Sequence, residues 1–203
     1  MAKKNIQDQR RNQIIEGLHR CLKDKPYSMT SIKDIAREAG VNHGVLHYYF
    51  KNKEDILVHY IDAIILNYHS RFLEWAADQG NEILSSDNFR IKSMEIMHIF
   101  LEMNTERNLF EVWSLAAYYP GIKKKLQDAY HIWIKAAEEF FKRNGLPPKE
   151  TQRIAKALIA FYEGVSLMER IMPRKEYNPE DLMSWFISRI QSMRDTAPHS
   201  DGI

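Results

Sequence analysis

The stretch TSIKDIAREAGVNHGVLHYYFKNKEDIL, residues 30–57, decides the fold of this chain. Its apolar residues recur at helical spacing in two short segments, and Gly40 stands between them. Ser31 is followed three residues later by Asp34, which is typical of a capping box, so we expect the first short helix to begin here. Asn42 can cap the second. Two short helices with a glycine at the turn make a helix-turn-helix.

Small residues explain how these two helices can cross closely. Ala36 leaves room for the second helix, and Gly40 can take the positive φ that the turn needs. The residues left exposed near the start of the second helix are Asn42, His43, Gly44, His47 and Tyr48. A recognition helix presents side chains to the major groove from such positions. A glycine within a short helix is unfavourable, and Gly44 is understandable if the backbone must approach DNA.

The same stretch resembles the N-terminal domain of TetR-family transcriptional regulators. The likeness rests on the Ile-Ala-Arg-Glu-Ala-Gly-Val run at 35–41, the Gly-x-Leu at 44–46, the Tyr-Tyr-Phe at 48–50 and the Lys-x-Lys-Glu-Asp at 51–55. The rest of the chain agrees in length and helical layout, and residues 110–171 are weakly similar to C-terminal domains of betaine-pathway repressors. The resemblance implies a ligand-responsive DNA-binding regulator, most simply a repressor released from its operator by a small effector.

The resemblance also implies a DNA-binding role for nine residues. They are Ser31, Lys33, Asn42, His43, Gly44, Val45, His47, Tyr48 and Lys53. The first two match positions that meet phosphate or a base edge, the next four match groove-reading positions, and the last three match backbone contacts. Lys53 would add its charge to the dipole of the helix that starts there. At position 47 the family usually has tyrosine, so the histidine is a departure.

His43 and His47 lie four residues apart, which is also a spacing of metal ligands. A third ligand is not apparent in the sequence, so we predict no metal site and no cofactor. The distribution of charge along the chain supports the prediction that its N-terminal part binds DNA. Residues 1–60 carry eleven Lys or Arg against seven Asp or Glu, a local charge of +4, and the remainder carries −2. A basic end is expected where a chain meets a polyanion, although an ordinary solvated surface also fits.

Other protein classes are disfavoured by the sequence. The single Cys21 cannot form an internal disulfide, and the longest apolar runs are far too short to span a bilayer. The charged start lacks the apolar core of a signal peptide. We therefore expect a cytoplasmic protein with no membrane partner. Common catalytic motifs such as Gly-x-Ser-x-Gly and His-Glu-x-x-His are absent, so an enzyme is not expected. The alternative is a helical adaptor that binds no operator.

Helical spacing of apolar residues continues along the chain, so we predict an all-α protein of about nine helices. A three-helix helix-turn-helix domain is expected at 1–55, a larger helical bundle for ligand binding and dimerisation at 56–195, and a disordered tail at 196–203. Within the bundle, further helices are expected at about 87–104, 106–118, 120–144, 149–172 and 179–194.

The last two helices carry apolar residues on more than one side, which indicates a central core position or a partner chain. The resemblance favours a homodimer, and a two-fold dimer reads a palindromic operator. The residues predicted for the dimer interface are Ile154, Leu158, Phe161, Val165, Met168, Trp185, Phe186 and Ile190.

The middle of the chain is rich in methionine and aromatic residues, which either pack the core or line an adaptable apolar pocket. The residues predicted to line the pocket are Met94, Met97, Phe100, Met103, Phe110, Trp113 and Tyr118. The acidic residues Glu102, Glu106 and Glu111 would suit a cationic effector beside Trp113. A solvated acidic face, with a fatty or aromatic effector in the pocket, is equally compatible.

Overall fold

The computed structural model describes residues 2–78, 83–104, 113–173 and 175–196. These residues contain eight α-helices, one short 3₁₀ turn at Tyr27–Met29, and no strand. The helices are α1 Ala2–Asp24, α2 Ile32–Glu38, α3 His43–Tyr49, α4 Lys53–Asp78, α5 Ser86–Asn104, α6 Pro120–Arg143, α7 Pro148–Ile171 and α8 Pro179–Asp195. The all-α prediction is confirmed, and the predicted helix ends agree closely. Most of the helix expected at 106–118, and the tail from 197 onwards, lie outside the described residues.

The chain forms two compact units. The first comprises Met1–Asn67 with Glu106–Gln127, and the second comprises Tyr68–Thr105 with Asp128–Ile203. The division therefore falls within α4, twelve residues beyond the boundary drawn at 55 from the sequence. The reason is that the first turns of α4 are buried among residues of the first unit, as the fully buried Ile56 and Leu57 show. None of the helices in the described ranges is long and apolar enough to cross a membrane.

The first unit depends on a very close approach of α1 to α2. A Cβ atom placed on Gly17 would lie 2.8 Å from the Ala39 Cβ and 2.8 Å from the Ile35 carbonyl oxygen. Ile14 and Leu18, on either side of this glycine, are completely buried. Glycine is required here by the packing of two helices against each other, since any side chain would push them apart.

The end of α2 is held by its own turn and by α1. Gly40 has a φ of +63°, and the Val41 N–H donates to the Ala36 carbonyl at 3.0 Å. This closes the helix in the left-handed turn that glycine permits. Side chains of Gln13 and Arg20 on α1 donate to the carbonyls of the last residues of α2, at 2.6 and 2.5 Å. The turn of the helix-turn-helix is thus fixed from both sides.

The second unit has an aromatic core built on α5, α6, α7 and α8. Phe89 stacks on Phe140 with ring centroids 5.7 Å apart, and Trp75, from the last part of α4, also contacts Phe140 at 5.1 Å. The buried Asn144 ties the loop before α5 to the end of α6. Its Oδ1 accepts from the Leu84 N–H at 3.0 Å, and its Nδ2 donates to the Phe140 carbonyl at 2.9 Å.

Replacing Gly17 by alanine tests the close approach of α1 and α2. We expect the first unit to lose about 1–3 kcal/mol of unfolding free energy, since the added methyl group overpacks the contact. Urea denaturation followed by circular dichroism measures the change. Gly121→Ala is the matched control, because a Cβ there meets no atom within 4 Å. Equal stability of the Gly17 variant and the wild type would contradict the packing argument.

Candidate functional site

A capping box fixes the start of α2, as the sequence predicts. The Ser31 hydroxyl accepts from the Asp34 N–H at 3.1 Å, and the Asp34 carboxylate accepts from the Ser31 N–H at 2.9 Å. The Ser31 hydroxyl also donates to that carboxylate at 2.7 Å, and Lys25 pairs with it at 2.6 Å. The hydrogen bonds from Lys25 and Ser31 hold the pKa of Asp34 well below its usual range. Ser31 is thus already engaged within the chain.

The start of α3 is capped by Asn42, whose Oδ1 accepts from the Val45 N–H at 2.8 Å. Because the oxygen is used in this cap, the Nδ2 donor is the part of the Asn42 side chain that the cap does not use. Val45 is half-buried, and Leu46 beside it is completely buried. The groove-reading role predicted for Val45 is therefore restricted to the exposed part of its side chain.

Four residues of α3 form an exposed face, which we call the reading face: His43, Gly44, His47 and Tyr48. Tyr48 is 72% exposed. The rings of His43 and His47 meet edge to face with centroids 4.5 Å apart. A Cβ on Gly44 would meet only the Asn42 Oδ1, at an ordinary 3.5 Å. Nothing within the described chain therefore requires glycine at position 44.

Lys53 is more deeply engaged than the sequence predicts. Its ammonium donates to the carbonyls of Tyr27 and Thr30, both at 2.9 Å, and lies 4.2 Å from the centre of the Tyr27 ring. Burial lowers the pKa of Lys53. The first residue of α4 is thereby tied to the segment before α2, and two of the three ammonium hydrogens are used in these contacts. Lys33, in contrast, is exposed.

Arg11 of α1 holds the end of α3, which sequence reasoning missed. Its guanidinium donates to the Tyr49 carbonyl at 3.2 Å, contacts His59 Nε2 at 2.7 Å and lies 4.7 Å from the centre of the Phe50 ring. The partners are 38 to 48 residues away in sequence, so no local signal could have found them. Lys51, which is exposed beside the end of α3, was likewise not predicted.

The second unit contains an apolar cavity of about 40 Å³. It is lined by Phe72, Trp75, Ser93, Ile96, Met97, Trp133, Ala137, Phe140, Phe141, Leu158, Ile159, Tyr162 and Ile187. Six of these thirteen residues are aromatic, and none of the six is among the residues predicted for the pocket, because they come from helices far apart in the chain.

The predicted pocket residues are only partly brought together. Met97 lines the cavity, while Met94 lines a separate open groove on α5. Trp113 and Tyr118 belong to the first unit and do not line this cavity, and Tyr118 is 78% exposed. The side chains of Phe100 and Met103, and the whole of Phe110, lie outside the described residues, as do the side chains of Glu102, Glu106 and Glu111.

Some of the residues predicted for the dimer interface are buried in their own unit, and others are at least partly exposed. Ile154, Val165 and Ile190 are buried in the core of their own unit, so their side chains are not available to a partner. That part of the prediction is corrected. Leu158, Phe161 and Phe186 are half-buried, and Met168 and Trp185 are exposed. The rings of Phe161 and Phe186 stack at 4.3 Å and 9°.

No group of three or more His, Cys, Asp or Glu side chains placed to hold one ion occurs in the described ranges. Cys21 is buried within the first unit, and burial raises the pKa of its thiol.

Comparison with known sequences identifies the segment that contains α2 and α3. Residues 14–60 match the family model of bacterial regulatory proteins of the tetR family. The transcriptional regulator PksA of Bacillus subtilis is 28% identical over 66% of this chain and 62% of its own length. The transcriptional regulator BetI 1 of Chromohalobacter salexigens is 24% identical over 86% of this chain and 85% of its own.

Solved structures share the fold along nearly the whole chain. A transcriptional regulator from Rhodococcus sp. Rha1 is 15% identical with a TM-score of 0.76, covering 93% of this chain and 99% of that one. A regulator from Saccharomonospora viridis in complex with choline is 19% identical with a TM-score of 0.69, covering 91% and 96%.

The matched segment carries the two capped helices and their reading face, and the fold agrees beyond that segment. Residues 14–60 therefore form a helix-turn-helix segment of the tetR-family type, and the whole chain is similar to transcriptional regulators and shares the fold of solved ones.

Proposed function

We propose that the chain is a ligand-responsive repressor, without enzymatic activity, that binds a palindromic DNA operator as a homodimer in the cytoplasm. The observation that carries the proposal is the reading face of α3, which is exposed although both ends of its helix are held. Lys33 and Lys51 are exposed at the start of α2 and the end of α3. Such cations bind phosphate, while base edges are read by the helix in the groove.

The homodimer is supported by the surface of α7 and α8. Met168, Ile171, Trp185 and Met193 are large apolar side chains that remain exposed on these two helices. Ala157, Ala160 and Gly164 lie exposed along α7 with helical spacing, and a Cβ on Gly164 would meet nothing within 4 Å. An apolar surface with small residues at its centre suits close packing against a second copy.

The effector site is proposed to be the cavity of the second unit. The solved structure of the Saccharomonospora viridis regulator contains choline, which supports a small-molecule effector for the present chain. Coupling between effector and operator of about 1–3 kcal/mol is typical of such regulators. It would reduce operator affinity about 5- to 150-fold when the effector is bound.

Operator binding is tested directly by fluorescence anisotropy with the DNA upstream of the gene itself, over a range of salt concentrations. We expect the logarithm of the affinity to fall linearly with the logarithm of salt concentration, as phosphate contacts release counterions. Binding that does not exceed the binding to a scrambled duplex would favour the adaptor.

Gly44→Ala separates DNA contact from folding. The methyl group has room in the free protein, so we expect stability to stay equal or rise by about 0.5–1 kcal/mol. Operator affinity should fall about tenfold or more, because the added group meets the DNA backbone. Anisotropy and urea denaturation give the two quantities. Unchanged affinity would remove Gly44 from the interface.

Comparing alanine variants of Lys33 and Lys53 distinguishes a lysine that only contacts phosphate from one that also stabilises the fold. Lys33→Ala should weaken binding to all sequences and lower the salt slope by about one, with stability unchanged. Lys53→Ala should in addition cost about 1–3 kcal/mol of stability, because the Tyr27 and Thr30 carbonyls lose a charged donor. Thermal denaturation and salt titrations separate the two. A Lys53 variant as stable as the Lys33 variant would show that the two hydrogen bonds contribute nothing.

Trp185→Glu tests the dimer surface. Trp185 is 55% exposed on the isolated chain, so the change should leave each chain folded while placing a charge in the interface. We expect a monomer by light scattering during gel filtration. Ile132→Glu, at an exposed apolar residue of α6, is the matched control and should remain a dimer. A dimeric Trp185 variant would exclude this surface.

A further inference from the structure

The cavity of the second unit has an uncharged wall. None of its thirteen lining residues is acidic or basic, and six of them are aromatic. Lys92 and Glu163, on the same helices as wall residues, have partners of their own. Lys92 pairs with Glu95 at 2.9 Å, and Glu163 accepts from the Tyr130 hydroxyl at 2.7 Å. A ligand in this cavity therefore meets aromatic and aliphatic surface rather than a counter-ion.

The Ser93 hydroxyl is a buried polar group of the wall. Ser93 lies on α5 and is 2% exposed, and its hydroxyl has no hydrogen-bond partner among the described residues. Buried hydroxyl groups are almost always paired, since an unpaired one has lost its water without compensation. An unpaired hydroxyl in a cavity wall is explained if it pairs with a ligand.

The surroundings disfavour a charged ligand. A cation or carboxylate moved from water into an apolar cavity loses hydration that only an opposite charge or several hydrogen bonds can replace. Burial raises the pKa of Tyr162, another wall residue, which means that its anionic form is disfavoured there. One serine hydroxyl offers far less than an ion needs.

The size of the cavity points to a compact ligand. About 40 Å³ exceeds the 10–15 Å³ or so that one water needs, and falls well below the roughly 150 Å³ of a cavity that binds benzene. A ring-sized ligand therefore enters only if the wall yields. Met97 is the wall residue best able to do so, because an unbranched thioether side chain repacks easily.

We propose that the effector is a compact, uncharged molecule of at most one ring, whose carbonyl or hydroxyl oxygen accepts a hydrogen bond from the Ser93 hydroxyl. Its apolar body lies against the aromatic wall next to Met97. This inference rests on the proposed function only in taking the cavity as the effector site. It separates the chain from regulators of quaternary amines and of long-chain carboxylates.

The ligand class is tested by isothermal titration of the full chain with cyclohexanone, benzyl alcohol, choline and decanoate, without DNA. Spectra of methyl-labelled methionine locate the binding. We expect the first two probes to bind and to shift the Met97 methyl signal, with little change at Met183, which is buried but does not line the cavity. Choline or decanoate shifting Met97 with higher affinity than the uncharged probes would overturn the proposal.

Ser93→Ala tests the hydrogen bond. Affinity for the uncharged probes should fall about five- to tenfold, while the melting temperature of the free protein stays equal or rises, since an unpaired hydroxyl is removed. Thr151→Val is the matched control, because it removes a buried hydroxyl that donates to the Pro148 carbonyl away from the cavity. Probe affinity should survive that change. Equal affinity in the Ser93 variant and the wild type would overturn the role of Ser93.

Operator binding measured on the same samples distinguishes the two proposals. A chain that binds its operator but none of the uncharged probes refutes the ligand class alone. A chain that binds the probes in a Ser93-dependent way but no operator supports the ligand class and refutes the repressor.

Discussion

A helix of seven residues is too short to be stable alone, and everything that α3 presents to DNA depends on contacts that hold it from outside. Asn42 caps its first turn, and Leu46 and Phe50 are buried beneath it. Arg11 binds the Tyr49 carbonyl at its last turn. Because backbone, core and a distant arginine all fix the helix, His43 and Tyr48 can remain exposed without being needed for folding. A reading surface of this kind is free to vary in sequence.

In the second unit, the last two helices each have one face in the core of the unit and another face on its surface. Ile154 and Val165 fill the core, whereas Met168 and Trp185 lie outside it. The apolar spacing along α7 is nearly the same for both faces. A periodic pattern of apolar residues indicates that a helix is apolar on two sides, but it does not indicate which side packs in the core of its own chain.

This difference explains how far the sequence could predict the structure. Capping residues act within three or four positions, so the helix starts at Ser31 and Asn42 were predictable, as were most helix ends. Other contacts join residues that are distant in the chain. These are the hydrogen bonds of Lys53 to two carbonyls, the contact of Arg11 with α3, and the packing of the cavity wall. Local patterns carry no information on such contacts. That Trp113 and Tyr118 do not line this cavity was equally unpredictable, since aromatic composition does not specify which unit a residue joins.

The stacked rings of Phe161 and Phe186 join α7 and α8 side by side. This contact links the middle of α7 to the middle of α8. Leu158 and Ile159 of α7 also border the cavity, one turn from Phe161. A displacement of α7 at the cavity would therefore be passed on to α8 through these rings, and the exposed surfaces of the two helices would move together.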